Sequence, residues 1–372
     1  MMKLLYITNA INGSGGLERV LSIKASYLSD VLGYEVHIIV LNQGDAPLFY
    51  TFSSKIIIHD IKVIGNPLKY FYSYSKGMKN VISIVKPDII SVCDDGLKGF
   101  FIPFILNKKL NIIYERHASV NLNINKNSLK KGLFTQFKDA MLHYTMQNRA
   151  KSFDKFVVLT NGNLKEWKSN NVEVIPNPLS FFSNDSSDYN SKRIIAVGSH
   201  SYNKGYDLLL TSWSKVVQKH PDWILDIFGK KDRLETFVKL SNTLHLEQNV
   251  IFHDPVIDIE KKYLEASIMV LPSRSEGFGM VLIEAMACGL PCISFNCPHG
   301  PGDIIKNNED GFLIENGNVE EFANKLILLI ENKELRVTMG NTAKNNAKQY
   351  LPENIMNKWT HLFESLLNKE NN

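Results

Sequence analysis

Short apolar runs alternate along the chain with longer stretches in which apolar residues fall three and four apart. Runs of strand length followed by helical spacing predict βαβ units and parallel sheets. The alternation comes as two series. In the first, the predicted strands are 3–7, 35–41, 56–58, 89–92, 111–114 and 155–159. In the second they are 193–197, 224–228, 250–252, 268–271 and 291–295, with a helix after nearly every one. Between the series, Val174-Ile175-Pro176-Asn177-Pro178 leads into a polar stretch from Phe182 to Ser191, rich in Ser, Asn and Asp. Such a stretch marks a boundary and divides the chain into domains 1–178 and 179–351, followed by a last segment of about 352–372.

Composition agrees with this division. A chain of 372 residues with 44% hydrophobic and 22% charged residues is a folded two-domain protein, which excludes a small stapled module, disorder and coiled coil. The net charge of +4 is too balanced for a surface that tracks nucleic acid. Split at the boundary, however, residues 1–178 carry 22 Lys and Arg against 13 Asp and Glu, or +9, and the remainder carries 20 against 25, or −5. Cys93, Cys288, Cys292 and Cys297 lack the paired spacing of a zinc site and read as buried thiols. The N-terminal apolar run is too short for a signal peptide, and the longest candidate span, 99–106, is too short to cross a bilayer, so a cytoplasmic chain is expected.

The sharpest motif runs Pro272-Ser-Arg-Ser-Glu276-Gly277-Phe278-Gly279-Met280 and on through Glu284 to Gly289-Leu-Pro291. It reads as a strand end, a glycine turn and a helix from Phe278 onward that Gly289 stops. Such a turn points free N–H groups at an anion, and a helix start adds to that attraction. Glu276 in the turn and Glu284 in the second helical turn can face one cleft, with Glu284 suited to a sugar diol. A second block, Gly198-Ser199-His200-Ser-Tyr-Asn-Lys204-Gly205, lies at the first strand-to-helix turn of the second domain, where a lysine can neutralise a leaving diphosphate. An ordinary surface lysine is the alternative.

With these motifs the sequence resembles the retaining glycosyltransferases of family 4 over almost its whole length. The resemblance implies the α/β GT-B fold: two Rossmann-like domains facing each other across a cleft, the C-terminal helix rejoining the first. It makes the first domain the acceptor side and the second the nucleotide-sugar side. It assigns Glu276, Gly277, Phe278, Gly279 and Met280 to the transferred sugar and diphosphate, Glu284 to the ribose hydroxyls, and Lys204 to the diphosphate. Ser199 stands where the family has an arginine, so either Lys204 acts with backbone amides and His200, or donor binding is weak. In the first domain, Asn12-Gly13-Ser14-Gly15-Gly16-Leu17-Glu18-Arg19 is similar to the family's glycine element, so Gly15 and Gly16 are expected at the donor diphosphate. A tight turn without a ligand is the other reading. His117, at the end of Tyr114-Glu115-Arg116-His117, is expected at the donor sugar unless it is satisfied within the fold. Pro255 and Val256 fall where the family's backbone reads the nucleobase, and Cys297-Pro298-His299-Gly300-Pro301 looks like a segment of members that use UDP-linked N-acetylhexosamines or galactose. Asp94 and Asp95 form no Asp-x-Asp metal clamp; either could orient an acceptor hydroxyl or cap a loop.

Two stretches mix basic and aromatic residues. Lys69, Lys76 and Lys79 interleave with Tyr70, Phe71, Tyr72 and Tyr74; Lys130, Lys131, Lys138 and Arg149 accompany Leu133, Phe134, Phe137, Met141, Leu142 and Tyr144. Either an anionic membrane surface or a solvated helix face fits them. The expected activity is a metal-independent, cofactor-free transfer of a hexose or N-acetylhexosamine from a UDP-sugar to a glycan or polyprenyl-linked acceptor. Retention of configuration, surface polysaccharide synthesis, a cytoplasmic or membrane-peripheral location and no nucleic-acid partner complete that expectation. A sugar-nucleotide epimerase and a non-catalytic glycan-binding protein are the alternatives.

Overall fold

The computed structural model describes residues 1–94, 96–106, 110–117 and 133–368, with side chains from 137 in the last segment. The chain forms two compact units. One comprises the described residues of Met1–Val120, Lys131–Ser180 and Pro352–Asn372, the other those of Phe181–Leu351. In the first unit the strands are β1 (Lys3–Ile7), β2 (Glu35–Leu41), β3 (Ile57–Ile61), β4 (Ile89–Val92), β5 (Asn111–Glu115), β6 (Lys155–Val158) and β7 (Val172–Val174). All pair in parallel, in the order β3-β2-β1-β4-β5-β6-β7. The second unit holds β8 (Arg193–Val197), β9 (Ile224–Phe228), β10 (Val250–His253), β11 (Ile268–Leu271), β12 (Cys292–Phe295) and β13 (Gly311–Ile314), parallel in the order β10-β9-β8-β11-β12-β13.

Parallel strands are covered on both faces, which is why the apolar runs show little polar alternation. In the first unit, Leu5, Ile7, Ile39, Ile90 and Val92 share one core with the helix residues Tyr74, Met78 and Val81. Aromatic stacking extends that core from β5 to β6, with Tyr114 parallel to Phe156 at 5.0 Å and Phe156 against Trp167 at 4.3 Å. In the second unit, Ile194, Leu225, Ile268 and Ile293 pack under Leu209, Trp213 and Phe322 from the flanking helices. The helix Pro352–Leu367 belongs to the first unit and buries Ile355, Met356, Trp359, Leu362 and Phe363, a 3-4 spacing that makes one apolar stripe.

Four predicted strands, 111–114, 155–159, 250–252 and 291–295, differ from the observed limits by one residue, and larger differences occur at three places. β3 runs from Ile57 to Ile61 rather than 56–58, and β7 and β13 have no predicted counterpart. Among the described residues no helix is long and apolar enough to cross a membrane.

Candidate functional site

In open parallel sheets ligands bind outside the carboxyl ends of the strands where the strand order reverses. The order reverses between β8 and β11 in the second unit, and the two motifs leave those two strands. After β8 the chain passes Lys204 and Gly205 into the helix Tyr206–Val217; after β11 it passes Pro272 to Gly279 into the helix Met280–Ala287.

Lys204 Nζ lies 2.6 Å from Glu276 Oε1, and Ser273 Oγ donates to the same oxygen at 2.6 Å. Side-chain exposures of 23% for Lys204 and 10% for Glu276 leave this pair within reach of a ligand while much of it is shielded from water. The two loops touch because one position is glycine. Gly205 has φ +66°, and a Cβ there would fall 2.0 Å from the Pro272 carbonyl oxygen.

Arg274 locks the same contact. Its guanidinium donates to Asp207 Oδ1 at 2.8 Å and Oδ2 at 2.7 Å, donates to the Tyr202 carbonyl at 2.8 Å and sits 4.1 Å from the centre of the Tyr202 ring. Burial alone would raise the Asp207 carboxyl; the hydrogen bonds and charge of Arg274 outweigh it and hold that group below its ordinary value. The Arg274 N–H also donates to the Asn203 carbonyl at 2.7 Å, so the Lys204 loop and the Glu276 loop form one body. Neither Arg274 nor Asp207 has a sequence signal of its own, because they lie 67 positions apart and only the fold makes them partners.

Gly279 adopts φ +102° and precedes the helix, which starts at Met280 rather than at Phe278 as the spacing suggested. Phe278 is buried and meets the Tyr350 ring edge-on at 5.8 Å. Its carbonyl packs on Gly300, where a Cβ would stand 2.0 Å from the Phe278 oxygen, so the Cys297 to Pro301 segment braces the Glu276 turn. Burial, then the neighbouring Glu276 charge, pushes the Cys297 thiol up to about 12, which keeps it protonated.

Two expectations about side-chain exposure change. Glu284 lies in the second helical turn but is completely buried, so Glu276 alone of the two carboxylates is partly exposed. His200 does not stand beside Lys204 as a second cation. Its ring is boxed by Tyr206, Phe237 and Phe252 at 5.4 to 5.9 Å, and burial lowers its pKa, which favours the neutral form.

Pro255 and Val256 follow the edge strand β10 and line a cavity of about 270 Å³ with Arg193, Asp226, Phe228 and His253. Asp226 takes two hydrogen bonds from Arg193, at 2.8 and 2.7 Å, and lies 2.7 Å from His253 Nε2; the His253 ring stacks on Phe228 at 4.3 Å.

Gly15, Gly16 and His117 belong to the first unit. Gly15 precedes the helix Gly16–Asp30, and Gly16 has no atom within 4 Å of where a Cβ would stand. The Glu18 carboxylate curls back toward the loop, 2.4 Å from a Cβ built on Gly13 and 2.5 Å from one on Gly15. His117 Nε2 is 3.4 Å from Glu115 Oε2. Glu115 also pairs with the buried Lys24 ammonium and accepts from the Ser91 hydroxyl. Among the described residues, Cys93, Glu115 and His117 offer ligand atoms within 4.8 Å of one another, but Lys24 already neutralises the carboxylate, so a divalent cation would have to displace it.

Asp94 is buried, accepts from Gly96 N–H at 2.8 Å and lies 3.6 Å from Lys98 Nζ. Asp95, Lys130 and Lys131 lie outside the described residues. Of the aromatic and apolar residues interleaved with basic ones, Phe71, Tyr72, Phe137, Met141 and Tyr144 are exposed, whereas Tyr74 is buried in the core and leaves the surface patch.

Residues 181–346 match the family model of glycosyl transferases group 1. An uncharacterized glycosyltransferase of Haemophilus influenzae is 31% identical over 96% of this chain and 99% of its own length. The amylovoran biosynthesis glycosyltransferase AmsD of Erwinia amylovora is 29% identical over 97% and 99%. Among solved structures, a Staphylococcus aureus TarM variant in complex with fondaparinux, alpha-GlcNAc-glycerol and UDP superposes with a TM-score of 0.80 at 16% identity, covering 98% of this chain and 100% of that one. The expected fold is the observed one, a GT-B chain of two Rossmann-like α/β units, and the chain belongs to the glycosyltransferases, with a group 1 domain over residues 181–346.

Proposed function

We propose that this glycosyltransferase moves a hexose or N-acetylhexosamine from a UDP-sugar to a glycan or lipid-linked acceptor in surface polysaccharide synthesis, with retention. The observation that carries the reading is the Lys204–Glu276 pair at the point where the second sheet reverses its strand order. The name of the amylovoran relative supports the polysaccharide context, and the UDP in the TarM complex supports the donor.

In this reading the donor diphosphate takes Lys204 away from Glu276 and lies against the N–H groups of Gly277 to Met280, while Glu276 turns to the sugar. Pro255 and Val256 serve the base and Glu284 the ribose. The anomeric C–O bond to the diphosphate breaks as the acceptor oxygen bonds to the same face of that carbon. The departing phosphate oxygen takes the acceptor proton, so no carboxylate nucleophile is required. Lys204 stabilises the charge that develops on the leaving group, a contribution of roughly 3 to 4 kcal/mol for one well-placed donor. In this reading the transfer is metal-independent. The exposed Phe137, Met141 and Tyr144 beside Lys138 suit a peripheral position on an anionic membrane.

Calorimetry with UDP and release of UDP in the presence of lipid-linked acceptor test the reading. Binding should weaken in Lys204→Met and in the isosteric Glu284→Gln, and turnover should fall about 100-fold or more in Lys204→Met. No binding at millimolar UDP in the native protein would refute the donor assignment. An epimerised sugar nucleotide formed without acceptor would instead establish the epimerase.

A further inference from the structure

The first sheet ends on β3, a strand with a partner on one side only. Little side-chain burial holds its amino half: Ile57 and Ile58 are exposed, and of its residues only Ile61 is buried. What crosses to β2 there is a pair of imidazoles. His37 Nδ1 stands 2.9 Å from His59 Nε2, with the ring planes 20° apart. Behind the pair the line continues, with His37 Nε2 3.1 Å from Glu35 Oε1 and Lys3 Nζ 3.0 Å from the same oxygen. Lys3, Glu35, His37 and His59 thus form one polar row across β1, β2 and β3.

A gap of 2.9 Å between two ring nitrogens holds one proton as an N–H···N bond and has no room for two. His37 is buried, and Glu35 pins its ring from behind. Hydrogen bonds from His37 and Lys3 hold the Glu35 carboxyl below its ordinary 4.5, so it remains ionised at mildly acidic pH. The helix Pro67–Val85 packs on β3 through Gly77 against Ile61 and carries Lys69, Lys76 and Lys79, none of which acts on the half-buried His59. Burial and then the His37 ring lower the His59 pKa from the ordinary 6.5. A second charge in the gap therefore acts on the member that can move, the edge strand.

That strand also holds a loop. Asp60 accepts from the Gln43 and Gly44 N–H groups at 3.0 and 3.1 Å, and Gln43 Oε1 accepts from the Ile11 N–H at 2.7 Å. We propose that the His37–His59 pair is an acid-sensitive latch: uptake of a second proton releases β3 together with the Gln43 and Gly44 backbone that Asp60 holds. The closed pair accepts that proton less readily than a free histidine. The latch is therefore fully closed above about pH 6.5 and loses ground as pH falls below it, by at most about tenfold per pH unit.

Amide hydrogen exchange of the full chain at pH 7.5 and 5.5, corrected for intrinsic rates, tests the proposal. Protection of β3 and of Gln43 and Gly44 should fall about three- to tenfold at the lower pH, while that of β6 in the same sheet should not. In His59→Gln and in His37→Gln the fall should shrink below about twofold, and the double variant should match either single one, because each change removes the same proton site. Unchanged protection of β3, or of Gln43 and Gly44, in the native protein overturns the proposal without recourse to any variant. So does an equal loss at β6, the mark of a general acid effect, and so does a loss that persists in both single variants.

Discussion

Replacing Lys24 by Met removes a buried cation whose partners all lie in the first unit. The ammonium pairs with Glu115 and stands 4.0 Å from the centre of the Trp359 ring and 4.9 Å from that of Tyr6. It therefore ties the helix Gly16–Asp30 to β5 and to the C-terminal helix. Burial alone would raise the Glu115 carboxyl, but Lys24, and after it His117, hold it at about 2 against an ordinary 4.5. That depression corresponds to roughly 3 kcal/mol, and stripping one partner from a buried pair costs about 3 to 5 kcal/mol. Methionine restores most of the stem's packing but none of the charge, so the melting transition of the first unit should fall by roughly 6 to 20 °C.

The pH dependence has a definite sign. A depressed carboxyl contributes stability that is present above about pH 4.5 and lost as pH falls toward 2. The gap between native and Lys24→Met should therefore be widest near neutrality and narrow through that acid window. Thermal unfolding followed by circular dichroism at pH 7 and pH 3 reads both quantities. Adding Glu115→Gln to the variant removes the stranded charge and should recover at least half of the loss. A single variant that melts within about 2 °C of the native protein, or a double variant no better than the single, refutes the coupling.

Arg274→Lys keeps the charge but loses the fork that grips Asp207. Affinity for UDP should drop about 5- to 100-fold by calorimetry with little change in melting temperature, because the residue positions Lys204 and Glu276 rather than the core. Gly205→Ala would place a Cβ 2.0 Å from the Pro272 oxygen at φ +66°. It should lower the second unit's transition by about 3 to 10 °C in calorimetry and weaken UDP, since the two loops can no longer close on each other.

The elements legible in the sequence are those whose cause is local. Strands β1, β2, β8, β9 and β11 are mostly apolar, and their predicted limits match. β3 differs because pairing with β2 starts at Ile57 and runs past the triplet: Ile57 and Ile58 pair while exposed, and the strand continues through His59 and Asp60, with the Asp60 carboxylate accepting from the Gln43 and Gly44 N–H groups. Backbone register with β2 decides those limits, and register is invisible to an apolar count. β13 is missed for a related reason. It opens on Gly311, which reads as a break, yet a Cβ there would fall 2.3 Å from the Cys292 oxygen, so glycine is what lets the strand pair with β12.

The same division between local and distant causes runs through the candidate sites. Glu276 and Lys204 were legible because each sits in a glycine turn directly after a strand, and strand order then sets those turns side by side. The residues that hold them were not, because Arg274 and Asp207 are 67 positions apart and only the fold makes them partners. In the first unit the corresponding reversal carries Asn9 after β1 and Asp94 and Lys98 after β4, and the wall beside it is aromatic and apolar. One topology thus places a charged crevice in one unit and an amphiphilic one in the other.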